Sequence, residues 1–496
     1  MIANLLAAML LTLAPQDSVH VRVLAMTDFH GALESRTYPW TEGRLVGGAA
    51  VLKAAMDSAE AHCGCPTLRI DAGDQMQGTL TSNLFYGAST VAALNLLGLD
   101  AAAIGNHELD WSVDTLRQRI SEAQYPWLAA NVFDSVTGKR PEWAIPFHIT
   151  EFSGLRVAFI GFVTSTVKQI SSPPNVAGLA FGRGKAAIDD VLEAVRAERP
   201  DLTILIAHAG LRCSADRCSG EIVSLAHELD PDDVDLIVAG HAHTIATTEV
   251  NGIPIIQAGA NGTALGVVDL VRAGGGDWQV RLNVRSVYAD EVTPDASMLE
   301  MLSKYKSVTD SLANRTVATL NRAPFTRDGE NQLGNIIADA QRHAAQADVA
   351  IMNNGGIRSV VPAGPVTYGM LYAVQPFENQ IVRLTISGRK LRLLLEQTLG
   401  TIHVSGMHIT YDPRGRRGSR IADARLANGE PLADAGTYTL AVSDFMAEGG
   451  GGFTMLRDLP REDTGVQDLD ALITYLQGAP QPFAIPPDRR IVPVNR

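Results

Sequence analysis

The chain has 496 residues, enough for two or more domains that each bury a core. Hydrophobic residues make up 46% of it and the formal net charge is −13, which argues against a disordered chain and against a general binder of nucleic-acid polymers. An anionic small molecule stays admissible, because bound metals or a few arginines can reverse the field locally.

The first residues read MIANLLAAMLLTLAPQDS. The apolar run from Leu5 to Ala14 has the length of a signal peptide, and Thr12 and Ala14 suit a small-residue cleavage site, although no Lys or Arg precedes the run. Residues 1–17 are therefore read as a signal peptide and the protein as periplasmic or secreted. No later stretch is apolar enough to span a bilayer. Export favours disulfides. Cys213 and Cys218 would close a small loop, and Cys63 and Cys65 a tight ring. A zinc knuckle built from both pairs is the alternative.

The first half alternates short apolar runs with helical periodicity. Strands are predicted at 21–26, 67–70, 101–104, 157–162, 202–206 and 236–238, with helices at 47–62, 90–97, 112–123 and 185–198. Further strands are expected over 253–288. This alternation predicts an α/β layered domain. The stretch 296–313 has helical periodicity without Gly or Pro and reads as a connecting helix. A second α/β pattern follows: helix 332–346, strand 349–352, strand 381–386 and helix 388–399. The resulting division is 18–292, a linker at 293–314, and 315–496.

Ligand-type side chains follow the early strands. They are Asp28 and His30, then Asp74, then Asn106 within GNHELD, then His208, then His241 and His243 in GHAH. In α/β sheets the carboxyl ends of strands share a crevice. Asp28 and His30 sit two apart, as do His241 and His243, so in extended segments each pair would point the same way. Imidazoles with carboxylates suit Zn, Mn, Co or Fe rather than Ca. Seven such groups exceed the needs of one tetrahedral ion, and two divalent ions sharing a carboxylate account for the excess.

The series DxH, GDQ, GNHE, a lone His after a strand and GHxH resembles the calcineurin-like metallophosphoesterases. GNHELD is similar to the 5′-nucleotidase branch, which includes UDP-sugar hydrolases and 2′,3′-cyclic nucleotide phosphodiesterases. NNGGIR at 353–358 and DFMAEGGGGF at 444–453 resemble that branch's substrate-binding domain. The resemblance implies a four-layer α/β/β/α metallophosphoesterase domain, a connecting helix and a second α/β substrate-binding domain. It implies that Asp28, His30, Asp74 and His243 hold one metal and Asp74, Asn106, His208 and His241 the other, with Asp74 bridging. His107 would face the phosphoryl group, oriented by Asp110; the competing role for Asp110 is a cap on the helix beginning near Ser112. Glu108 and Asp71 are read as supporting groups.

The implied activity is a two-metal phosphoric ester hydrolase, foremost a 5′-nucleotidase, acting on a small phosphate ester such as a nucleotide. Arg358 is the first expected substrate contact. Asn379, Arg383, His403 and Phe445 are further candidates, His403 as a stacking face in place of an expected Phe near Thr401. Gly451 stands where the branch has a ribose-binding Asp. These departures keep open a cyclic nucleotide or sugar nucleotide, a sulfur ester, and a non-catalytic scavenger, which the His107–Asp110 pair disfavours. The resemblance also implies domain rotation, with hinge residues near Asp310–Arg315.

Overall fold

A computed structural model describes residues 18–214, 217–274, 276–327 and 329–494; the predicted signal peptide at 1–17 lies outside them. Two six-stranded sheets form the centre of the N-terminal half. In one, Ser18–Met26, Thr67–Asp71, Ala101–Ala103 and Trp127–Leu128 run parallel; Ala264–Ala273 pairs antiparallel with Ser18–Met26, and Gln279–Ser286 antiparallel with Ala264–Ala273 at the edge. In the other, Leu155–Val163, Leu202–His208, Leu236–Ala239 and Ile253–Ala258 run parallel between two antiparallel edge strands, Phe147–Phe152 and Ile245–Val250.

The strand alternation explains the layering. Val21, Val23 and Ala25 pack against Val157, Phe159, Ile204 and Val238 between the sheets. Leu24 and Met26 point the other way, onto Leu52, Met56 and Leu94 of the helices Ala49–Cys63 and Ala88–Leu97. Ile160, Leu205 and Ile237 meet Leu192 and Leu225 of the helices Asp189–Ala197 and Glu221–Glu228. The order is thus helix, sheet, sheet, helix. Strands covered on both faces read as continuous apolar runs, so the sequence shows them. The half-exposed edge strand Phe147–Phe152 has no such run and is absent from the predicted strands.

The C-terminal half holds a five-stranded sheet in the order Ile402–Ser405, Val349–Asn353, Thr437–Ser443, Gln380–Ser387, Arg461–Gln467. Helices Gln332–Ala345 and Asp468–Gly478 cover one face, and Gly388–Thr398 the other. The connecting helix spans Ala296–Ala313 and is capped by Asp295, which accepts from Met298 N at 2.8 Å. It is more than a tether, because Met298 and Leu302 are buried in the N-terminal core. Both cysteine pairs, Cys63–Cys65 and Cys213–Cys218, are disulfide-bonded. Among the described residues no helix is long and apolar enough to cross a membrane.

Candidate active site

The loops after Met26, Asp71, Ala103, His208 and Ala239 leave from one end of the two parallel sheets and bring the ligand-type groups together. Two clusters result: Asp28, His30 and His243, and Asp74, His208 and His241, each with its ligand atoms within 4.8 Å of one another. His30 Nε2 lies 3.0 Å from His243 Nε2, which lies 3.3 Å from Asp28 Oδ1. His208 Nε2 lies 3.0 Å from Asp74 Oδ2 and 3.2 Å from Asn106 Oδ1. Asp74 Oδ2 is also 4.0 Å from His30 Nε2, so this carboxylate stands between the clusters.

Extended backbone does not pair these side chains. Asp28, His30, Asp74, His241 and His243 have φ of 52°, 51°, 57°, 75° and 55°, all left-handed. Turns, not strand alternation, aim these side chains. Non-glycine residues in this region cost about 1–3 kcal/mol each and persist where surrounding structure enforces them, commonly at functional sites. The enforcement is visible. Glu108 accepts from the backbone N–H of Asp74, Gln75 and Gly105 at 2.8, 2.7 and 2.7 Å. Both Asp28 oxygens accept from His241 N at 3.0 Å. A Cβ at Gly105 would overlap Asp74, and one at Gly240 would overlap Thr27 Oγ1.

The imidazole tautomers suit metal ligation. His30 Nδ1 donates to Gln77 O and His208 Nδ1 to Ala72 O, each at 2.8 Å. A carbonyl only accepts, so Nδ1 carries a proton in both, and Nε2 is the nitrogen that faces the crevice. Burial, with His243 and Arg358 nearby, holds His30 well below the usual histidine range. Burial and the neighbouring His208 push His241 down to about 4. Asp74 outweighs burial at His208, which rises to about 10, so a cation there competes with a proton for Nε2. Asp28 is held at about 2, His243 overcoming burial. Buried carboxylates among imidazole lone pairs are a donor set suited to divalent transition ions.

His107 stands beside these clusters. Its Nδ1 lies 2.6 Å from Asp110 Oδ2, and although burial opposes charge, Asp110 and Asp74 raise its pKa. The cap on helix Val113–Glu122 is Ser112, whose side chain accepts from Thr115 N at 3.3 Å. Asp110 is therefore free to orient His107.

A cavity of about 310 Å³ opens above His107 between the two halves of the chain. Arg358, Asn379 and Phe445 line it from the C-terminal side. Arg358 Nη2 donates to His30 Nε2 at 3.3 Å. Asn379 Nδ2 donates to Asp468 Oδ2 at 3.1 Å, which ties it to the C-terminal scaffold.

Two expected substrate residues lie elsewhere. Arg383 sits on Gln380–Ser387 and donates to Glu462 through Nε at 3.1 Å, because its strand neighbours Arg461–Gln467. His403 is 1% exposed, packs against Gly334 and accepts from Asn331 N at 3.3 Å through Nδ1, so it offers no stacking face. Phe377, absent from the expected set, takes a prominent position. Its ring stacks on His107 with centroids 5.6 Å apart and planes 22° apart, and Arg358 lies 5.8 Å from its centroid. An aromatic after Pro376, in the PFENQIVRL stretch that also holds Asn379 and Arg383, is the available signal.

Residues 289–458 match the family model described as 5′-nucleotidase, C-terminal domain, and residues 41–261 match bacterial capsule synthesis protein PGA_cap. The chain is 30% identical over 512 residues to endonuclease YhcR of Bacillus subtilis, covering 96% of this chain but 41% of that protein's length. It is 28% identical over 507 residues to a 5′-nucleotidase of Vibrio cholerae, covering 92% of this chain and 90% of the other. The solved 5′-nucleotidase precursor of Thermus thermophilus superposes with a TM-score of 0.86 at 25% identity, over 96% of this chain and 100% of that one. The Asp and His clusters are candidates to hold metal ions. Residues 289–458 thus carry a 5′-nucleotidase C-terminal domain, and the chain shares its fold with a solved 5′-nucleotidase over nearly its whole length.

Proposed function

We propose that the chain hydrolyses phosphoric esters, foremost nucleoside 5′-monophosphates or related nucleotides. The observation that carries this reading is the convergence of the Asp28 and Asp74 clusters with the His107–Asp110 pair, 2.6 Å apart, under a cavity lined by Arg358. Asp28, His30, Asp74 and His243 would hold one divalent ion, and Asp74, Asn106, His208 and His241 the other. The mixed imidazole and carboxylate set favours Zn, Mn, Co or Fe. Bound there, the ions would neutralise phosphoryl oxygens and activate a water.

The chain's own groups do the rest. Arg358 offers a fork of N–H donors to phosphoryl oxygens. His107, kept protonated by Asp110, donates to the oxygen that gains charge as the ester bond breaks. Phe377 holds the His107 ring from the side facing the C-terminal domain. Trp111, Phe377 and Phe445 give the cavity aromatic walls, which suits a nucleobase. Gly451 also lines it and brings no carboxylate, so ribose recognition by an acid at that position is lost.

The test is phosphate release from 5′-AMP, 5′-UMP, ATP, 2′,3′-cAMP, UDP-glucose and p-nitrophenyl phosphate. Metal-dependent release strongest with a 5′-monophosphate is expected. Release from the nitrophenyl ester alone would remove the nucleotide assignment, and preference for a cyclic or sugar nucleotide would move it within the family.

The division at 18–292, 293–314 and 315–496 belongs to the same reading. So does export to the periplasm or medium, supported by the apolar N-terminal sequence and by two disulfides, Cys63–Cys65 and Cys213–Cys218.

A further inference from the structure

At the opposite end of the parallel strands from the crevice, a second group of metal-ligand side chains comes together. Cys63 ends the helix Ala49–Cys63, and Cys65 lies just before the strand Thr67–Asp71. His20 lies on Ser18–Met26 and Asp269 on the antiparallel neighbour Ala264–Ala273. His20 Nε2 is 3.9 Å from each of the two sulfurs and 3.1 Å from Asp269 Oδ1. His20, Cys63 and Cys65 offer ligand atoms within 4.8 Å of one another, all on half-buried residues that solvent reaches. Arg22 fixes the Asp269 carboxylate through Nε to Oδ1 at 2.9 Å and Nη2 to Oδ2 at 3.0 Å.

We infer that Cys63, Cys65 and His20, with Asp269 as fourth ligand, form a zinc site when the Cys63–Cys65 disulfide is reduced. A tetrahedral zinc with Zn–N of about 2.0 Å and Zn–S of about 2.3 Å has N···S edges of about 3.5 Å and an S···S edge of about 3.8 Å. His20 already stands close to the first distance from both sulfurs. Opening the disulfide lets the sulfurs part to the second, and Gly64 between them leaves the short loop free of side-chain crowding. A dithiol or phosphine reductant supplies the two electrons. The S–S bond breaks, each sulfur takes a proton, and each proton leaves as its thiolate binds zinc. Oxidised, the same residues form a disulfide loop, so this end of the domain alternates between two states set by the thiol poise of its surroundings.

The experiment uses the full chain with its crevice metals loaded, reduced by a phosphine and titrated with Co(II). Cobalt bound by sulfur gives a strong near-ultraviolet charge-transfer band that imidazole, amide and carboxylate ligands do not. The expected result is a one-equivalent band that Cys63→Ser abolishes and Cys213→Ser leaves intact. His20→Ala, which keeps both cysteines, is expected to weaken cobalt binding tenfold or more. Phosphate release by His20→Ala should match the parent chain, since none of these residues lies in the crevice. No band, a band that survives Cys63→Ser, or cobalt affinity unchanged by His20→Ala would each overturn the assignment.

Discussion

The two walls of the cavity are built to different tolerances. On the N-terminal side, the candidate metal ligands sit at strand ends and on the short loops that follow, mostly buried, five of them in left-handed backbone. Each loop is held by bonds to its neighbours, as Glu108 holds three backbone N–H groups. On the C-terminal side, Arg358, Phe377 and Phe445 are half-buried, and two of the further candidates named from the sequence have other duties. Arg383 pairs with Glu462, and His403 fills the core. Metal chemistry fixes residue type and position together, whereas substrate recognition asks only for a surface of suitable shape and polarity.

That contrast predicts a graded set of effects. Asp28→Asn or His241→Ala is expected to lose bound metal and with it nearly all phosphate release, read by metal analysis beside turnover. His107→Ala should keep its metals while kcat falls by roughly 10²–10⁴, the usual worth of a positioned proton donor. A parallel loss of metal would move His107 from proton donor to scaffold. Arg358→Ala should weaken kcat/KM by about 1.5–3 kcal/mol, the range for hydrogen bonds to charged groups. Arg383→Ala, outside the cavity, should leave kcat/KM unchanged and stability within about 0.5 kcal/mol.

A pH series sharpens the contrast from the scaffold side. Burial raises Asp468 from 3.8 to about 7, despite the hydrogen bond from Asn379. Because the folded-state pKa lies above the unfolded one, the stabilising contribution is complete below about pH 4 and is lost as pH rises through 7. Asp468→Asn should remove that decline, measured as unfolding free energy from pH 4 to 8.

The same contrast explains what was legible in the sequence. Strands buried on both faces, such as Leu202–His208, carry apolar runs that announce them, and a polar residue just beyond each run marks the crevice. Edge strands such as Phe147–Phe152 lack that signal. The metal-ligand candidates could be named from position alone, but how they meet could not, since the left-handed turns at Asp28 and His241 depend on partners distant in the chain. On the C-terminal wall, Phe377 reaches His107 only because the two halves meet, a contact no local pattern encodes.

The measurement that tests the central claim most directly is phosphate release from 5′-AMP before chelation, after it, and after stepwise return of Zn, Mn or Co, with bound metal counted at each step. Release is expected to disappear with the metal and to return as two equivalents rebind in the crevice. Release that persists in the chelated protein, or that is complete with no crevice metal, would contradict it.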